Sequence, residues 1–238
     1  MIMTDERYRI ECEARRSGSG LYRSSDEEGI VFSYKFVREN GISRIYHICL
    51  SNSRSEDFCG VIHVKALMPP DDPLFFMPGY MYGSNTAEMP SSGRKAFPRL
   101  KKNAESRPES PFFMTRSDRL AEPVSMIYDN GTVMGISADP CLYDDNGMFI
   151  QFNGFSCSID DNGSSSVGYT IGYENAPWLF IQTATVRDRE PVSENNSVII
   201  KGKSSLEFDI TVYCYTGEDE RAIYRAIEDC YRKYHESP

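Results

Sequence analysis

Alternation at period two constrains this chain more than any other feature. Tyr8, Ile10, Cys12 and Ala14 face one way while Arg9, Glu11, Glu13 and Arg15 face the other, which is the pattern of a strand with one buried face. Phe32, Tyr34 and Phe36 interleave with Ser33 and Lys35, and further strands are expected at 42–50 and 60–68. Near the end, Leu206, Phe208, Ile210, Val212 and Cys214 alternate with Glu207, Asp209, Thr211, Tyr213 and Tyr215. Asn130-Gly131, Asn146-Gly147 and Asn162-Gly163 lie between such runs, and Asn-Gly suits the positive φ angles of a type I′ turn. The first pair predicts a hairpin from Val124–Asp129 to Thr132–Ser137, the second leads into a strand at Met148–Asn153, and the third joins Phe155–Asp160 to Val167–Tyr173. Such an up-and-down meander predicts a mainly β, antiparallel two-sheet sandwich over residues 1–217. Asp144-Asp145-Asn146-Gly147 and Asp160-Asp161-Asn162-Gly163 lack the ligand spacing and the distal Glu of a calcium loop, so turn chemistry accounts for them.

The last element has a different period. Ile223, Ala226, Ile227, Cys230, Tyr231 and Tyr234 recur as one stripe of an amphipathic helix within 218–238. Thr216 and Asp219 have capping-box spacing, and Arg232, Lys233 and His235 suit the negative end of the helix dipole. This helix needs a surface to lie on. Ser237-Pro238 then ends the chain where a domain boundary is expected.

Charge and composition narrow the function. A formal net charge of −9 disfavours a general nucleic-acid binder, whose affinity comes from clustered Lys and Arg. No stretch is long or apolar enough to span a bilayer, and Met1–Arg7 lacks the order of a signal peptide, so a cytoplasmic chain without a membrane partner is expected. The seven cysteines are scattered, with no Cys-x-x-Cys pair. Buried reduced thiols are expected, and neither a structural zinc nor a cofactor has a visible handle.

Residues 69–123 interrupt the alternation and hold nine of the thirteen prolines. Phe75-Phe76-Met77-Pro78-Gly79-Tyr80-Met81-Tyr82-Gly83-Ser84-Asn85 is too aromatic for a solvated linker. From Gly79 to Arg119 eight basic residues face four acidic ones, a local reversal in an acidic chain. It is either a solvated loop or a site for an anion such as a uronic acid or phosphate. Asp118, in Arg116-Ser117-Asp118-Arg119, either locks this loop to an arginine or serves a site. Of the three histidines, His47 and His63 fall within expected strands, which suits satisfied structural histidines, and His235 lies on the helix. The lone Trp178 is assigned to the core.

The order of a strand-rich region, then the 76–85 segment quoted above, then Arg116-Ser117-Asp118-Arg119-Leu120-Ala121-Glu122-Pro123, then hairpins and a final helix over Ala222–Tyr234, carries a resemblance. It resembles the N-terminal β-sandwich domain, the galactose-mutarotase-like supersandwich, of six-hairpin glycosidases. That resemblance covers nearly the whole chain. It implies a following (α/α)6 toroid with the main catalytic carboxylates, and a 76–85 loop that walls the toroid's sugar cleft. Tyr80, Tyr82, Asn85, Arg116, Asp118 and Arg119 are then the expected contacts to carbohydrate or to the toroid. The implied function is that of an accessory domain, inactive alone. The alternatives are a free-standing carbohydrate-binding module and a mutarotase-like epimerase, for which His63 or His47 must meet a carboxylate in a pocket.

Overall fold

A computed structural model describes residues 8–17, 22–69, 73–79, 111–117, 120–143, 147, 150, 153–159, 164–172, 181–183 and 197–236, with the side chains of 111–116, 159 and 181–183 excepted. The strands are β1 (Arg9–Arg16), β2 (Arg23–Ser24), β3 (Ile30–Asn40), β4 (Ser43–Asn52), β5 (Phe58–Met68), β6 (Leu74–Phe76) and β7 (Pro111–Arg116). They continue as β8 (Val124–Asp129), β9 (Thr132–Ala138), β10 (Asn153–Ile159), β11 (Ser165–Ile171), β12 (Ile181–Thr183), β13 (Val198–Ile200) and β14 (Ser205–Thr216).

Antiparallel pairing builds two sheets. The first runs β12-β7-β10-β11-β5-β1-β2, with β13 also on β5, and the second runs β3-β4-β14-β9-β8-β6. Their facing sides supply the expected core: Ile10, Val64, Ala66, Phe155, Val167 and Tyr169 from one, and Ile48, Leu50, Met134, Ile136, Phe208 and Ile210 from the other. Period-two burial thus yields the two-sheet antiparallel sandwich.

Local turn chemistry is recovered where it is described. Asn130 and Gly131 take φ of 43° and 79° between β8 and β9, the left-handed pair that a type I′ turn demands. The sequence also holds Asn40-Gly41, which the reading above passed over; Gly41, at φ 56°, turns β3 into β4. β10 and β11 pair as expected, while Asn162-Gly163 lies outside the described residues. Of the strand expected at Met148–Asn153, only Ile150 and Asn153 are among the described residues: Ile150 is in no strand, and Asn153 opens β10.

Two further expectations are corrected. The meander is divided, because hairpin β8–β9 belongs to the second sheet and hairpin β10–β11 to the first. The segment 69–123 is not simply irregular, since β6 extends the second sheet and β7 the first. Phe75 and Met77 enter the core between the sheets while Phe76 enters a second core under the helix. The Ala121 N–H donates to Pro78 O at 2.9 Å, so the two stretches that carry the family resemblance do meet.

The terminal helix is as expected, apart from its cap and from Tyr231, which the stripe included and which is exposed. Asp219, not Thr216, accepts from the Arg221 N–H at 3.0 Å and starts a 3-10 turn, Glu220–Ile223, that runs into α1 (Tyr224–His235). Thr216 is the last residue of β14. Ile223, Ala226 and Cys230 lie on Phe76, Val124, Met126, Val133, Tyr213 and Tyr215, so the second sheet is covered on both faces. Polar groups pin the helix as well: Tyr213 OH donates to Asp229 Oδ2 at 3.1 Å, and Lys233 Nζ to Thr211 Oγ1 at 2.8 Å.

The cysteines are free, as expected, but Cys157 and Cys230 alone are buried, and Cys141 is exposed. Burial pushes the Cys157 and Cys230 thiols above the ordinary thiol range, which suits packing and not nucleophilic chemistry.

Candidate functional site

The site residues expected from the sequence fall mostly beyond view. Tyr80, Tyr82, Asn85, Asp118 and Arg119 lie outside the described residues, as do segment 86–110 and Trp178. Of Arg116 only the backbone is described, at the end of β7. The neighbouring Ser117 hydroxyl donates to Asn153 Oδ1, and Asn153 Nδ2 donates to Pro140 O at 2.8 Å. This amide therefore ties the end of β7 to the 140–150 connection.

A polar cluster stands on the side of the first sheet that faces away from the sandwich core. β1 and β5 pair with Glu13 opposite His63, and the strand period puts Arg15 and Lys65 on that same face. His63 donates from Nδ1 to Glu13 Oε1 at 3.1 Å, and Lys65 Nζ donates to Glu13 Oε2 at 3.0 Å. With Nδ1 protonated, neutral imidazole leaves Nε2 to accept from the Tyr22 hydroxyl at 3.2 Å. Tyr22 stacks on the His63 ring at 4.5 Å, and the Arg15 guanidinium lies 5.0 Å from the Tyr22 centroid. His63 and Arg15 are both fully buried.

Strand register extends the cluster sideways. Glu13 pairs with His63, His63 with Thr170, Thr170 with Gly154, and Gly154 with Arg116. The adjacent row runs Glu11, Lys65, Gly168, Ser156 and Met114. Arg116, chosen from the sequence, therefore occupies a row with His63, which the sequence had assigned a structural role. Ser156 and Thr170 are buried on this outward face.

Sequence reasoning missed Glu13, Arg15 and Lys65 because alternation marks them only as the polar side of their strands. Their convergence needs the pairing of β1 with β5, about 50 residues apart in the chain. The usable signal was that His63 and Lys65 share a parity.

A second cluster lies on the outer face of the second sheet. His47 bonds through Nδ1 to Asp209 Oδ1 at 2.9 Å and through Nε2 to Glu207 Oε2 at 3.4 Å. The Asp209 hydrogen bond, ahead of the Glu207 one, raises the His47 pKa above its ordinary value. A raised folded-state pKa adds stability that is complete below the unfolded value, about 6.5, and is lost as pH rises through the folded value. Because His47 is 41% exposed, solvent screening limits the effect to about 0.5 kcal/mol or less. NMR titration should place the His47 midpoint above that of a free histidine, and Asp209→Asn should lower it. A wild-type midpoint at or below the free value would contradict the contact.

No protein-family model matches the sequence, and no curated protein matches it. Solved structures do. The chain is similar to the Slr1438 protein of Synechocystis sp. PCC 6803, at TM-score 0.44 and 11% identity over 79% of this chain and 55% of that one. It is also similar to a galactose mutarotase related enzyme of Lactobacillus acidophilus, at TM-score 0.35 and 8% identity over 91% of this chain and 70% of that one. A galactose mutarotase-like protein of Clostridium acetobutylicum is similar at TM-score 0.36 and 9% identity, over 91% and 65% of the two chains. The chain thus spans little more than half of the Synechocystis protein. Among the described residues, no helix is long and apolar enough to cross a membrane.

Proposed function

We propose that this chain is a carbohydrate-handling β-sandwich domain, the accessory sandwich of a carbohydrate-active enzyme, which helps shape a sugar site and has no complete catalytic set of its own. The observation that carries this reading is the buried polar face built by Glu13, His63, Lys65 and Tyr22 on the first sheet. Burying polar and charged groups away from the core costs free energy that packing does not return. Convergent polar groups on a rigid sheet suit a hydroxyl-rich ligand, whose donors and acceptors they can match.

The same face supports the inactive part. Glycoside hydrolysis uses two carboxyl groups, one of which must carry a transferable proton. The face's described carboxylates are Glu11 and Glu13. Glu11 sits 2.7 Å from the Arg9 guanidinium, and Glu13 takes both Lys65 and His63. Both described carboxylates are thus engaged by basic side chains. A glycan-array screen followed by calorimetry on the isolated chain should find oligosaccharide binding without hydrolysis. Turnover by the isolated chain, or no binding to any glycan, would refute the respective halves of the proposal.

One observation favours a second reading, the mutarotase-like epimerase: His63 and Glu13 form the imidazole–carboxylate pair such chemistry requires. Polarimetry decides it, because anomerisation by the wild type that disappears in His63→Gln would replace the accessory role. A toroid partner, and Tyr80, Tyr82, Asn85, Asp118 and Arg119 as sugar or docking contacts, belong to the same proposal.

A further inference from the structure

We infer that the outer face of the second sheet holds a site for a zinc-class divalent ion, with His47 Nε2, the Cys49 thiolate and the Glu207 carboxylate as ligands and Asp209 behind the imidazole. The site lies on the other sheet from the Glu13–His63–Lys65 cluster and does not rest on the sugar reading.

Register brings the donors together. His47 pairs with Asp209 and Cys49 with Glu207 across β4 and β14, so the four side chains form two adjacent cross-strand rows on one face. The period of two sets His47 and Cys49 about 7 Å apart along β4, a gap that an imidazole and a thiolate can close around an ion. The face is open. His47, Glu207 and Asp209 are each about half exposed and Cys49 is partly so, while the helix crosses the sheet further along β14, over Tyr213 and Tyr215.

The separations suit ligands around one ion. Zinc bonds of about 2.0–2.3 Å in a tetrahedral array set neighbouring donor atoms about 3.3–3.6 Å apart. His47 Nε2 lies 3.4 Å from Glu207 Oε2, and Cys49 Sγ lies 3.6 Å from Glu207 Oε1. The first is long for a hydrogen bond from nitrogen. Among the described residues no three ligand side chains already meet at one point. Here two of the three sides are in place, and the third, between His47 and Cys49, closes by rotation of side chains that stand in solvent.

Asp209 supplies an independent observation. Its Oδ1 lies 2.9 Å from His47 Nδ1, which places a proton on Nδ1 and turns Nε2 toward Glu207. A carboxylate behind the imidazole in this way orients a metal-binding histidine and raises its basicity. Ser51 Oγ, 3.3 Å from Cys49 Sγ, can donate to the thiolate. Sulfur, imidazole and carboxylate together select zinc over magnesium and calcium, which take oxygen ligands. Binding releases the Cys49 thiol proton, and the Nε2 proton of a protonated His47, to solvent; no electron moves, and water fills the remaining position. Two cations flank the group, Lys35 opposite His47 on β3 and Lys233 at Thr211. Lys35 is exposed, so its ammonium can swing away, and Lys233 is held one row beyond Asp209.

Titration calorimetry of the reduced intact chain should find one site for Zn2+ and none for Mg2+ or Ca2+ at the same concentration. Co2+ should develop the charge-transfer absorption of a thiolate ligand. His47→Gln and Cys49→Ser should each weaken Zn2+ binding about tenfold or more, the second also abolishing the cobalt band. Asp209→Asn removes no ligand, yet it should weaken binding about tenfold while keeping the band, which separates a positioning carboxylate from a ligand. Zinc at about a hundred times its Kd should raise the Tm of wild type and not that of His47→Gln. Absence of the cobalt band in wild type, or unchanged Zn2+ affinity in His47→Gln or Cys49→Ser, would overturn the inference. So would Ca2+ bound as tightly as Zn2+, the mark of a merely acidic surface. If a variant fails to fold, the wild-type cobalt spectrum and the calcium comparison still decide.

Discussion

Tyr169→Ala is expected to destabilise the protein by about 3–5 kcal/mol, the range for truncating a large aromatic in a packed core. Tyr169 is fully buried on β11. Its ring packs against Phe155 on the neighbouring strand, with centroids 5.3 Å apart, and against Phe208 on the opposite sheet at 5.7 Å. The truncation therefore opens a cavity between the sheets and strips both neighbours of contacts. Tyr169→Phe separates packing from hydrogen bonding. It loses the hydroxyl that donates to Asp139 O at 3.1 Å and should cost only about 1 kcal/mol. Urea unfolding followed by tyrosine fluorescence measures both, and a loss below about 1 kcal/mol for Tyr169→Ala would mean that the sheets do not meet there.

Ala226→Glu should cost about 3 kcal/mol or more at the helix–sheet interface. Ala226 is fully buried among residues of the second sheet, and a carboxylate placed there has neither water nor a partner. Because the core between the sheets lies on the other side of the second sheet, the effect should be local. The helix should undock before the sandwich melts, with loss of helical circular dichroism and new protease cleavage near Gly217. Ala226→Ser, which adds one small hydroxyl, should be far milder. An unchanged helical signal at unchanged Tm in Ala226→Glu would show that α1 does not rest on this sheet.

The difference between these two sites was partly legible beforehand. The alternation from Leu206 to Tyr215 announced a strand with one apolar face, and the stripe from Ile223 to Tyr234 announced a helix in need of a surface. That the surface is the other face of the same strand was not legible. Tyr213 and Tyr215 look like a solvated edge until the helix covers them. Phe75, Phe76 and Met77 show the converse. They belong to a stretch that read only as too aromatic for a solvated linker, and each is buried in one of the two cores.

By itself, the sequence determined most of the long strands, the Asn130-Gly131 turn and the closing helix, because backbone period and turn preference are set by neighbours a few residues apart. Only the tertiary structure decided which sheet each hairpin joins, since both sheets impose the same period of two. The Glu13–His63–Lys65 cluster likewise exists only once β1 lies against β5 in one register. A slip of one residue would turn these side chains toward the core, so their meeting is a property of long-range pairing and is encoded in no local stretch of chain.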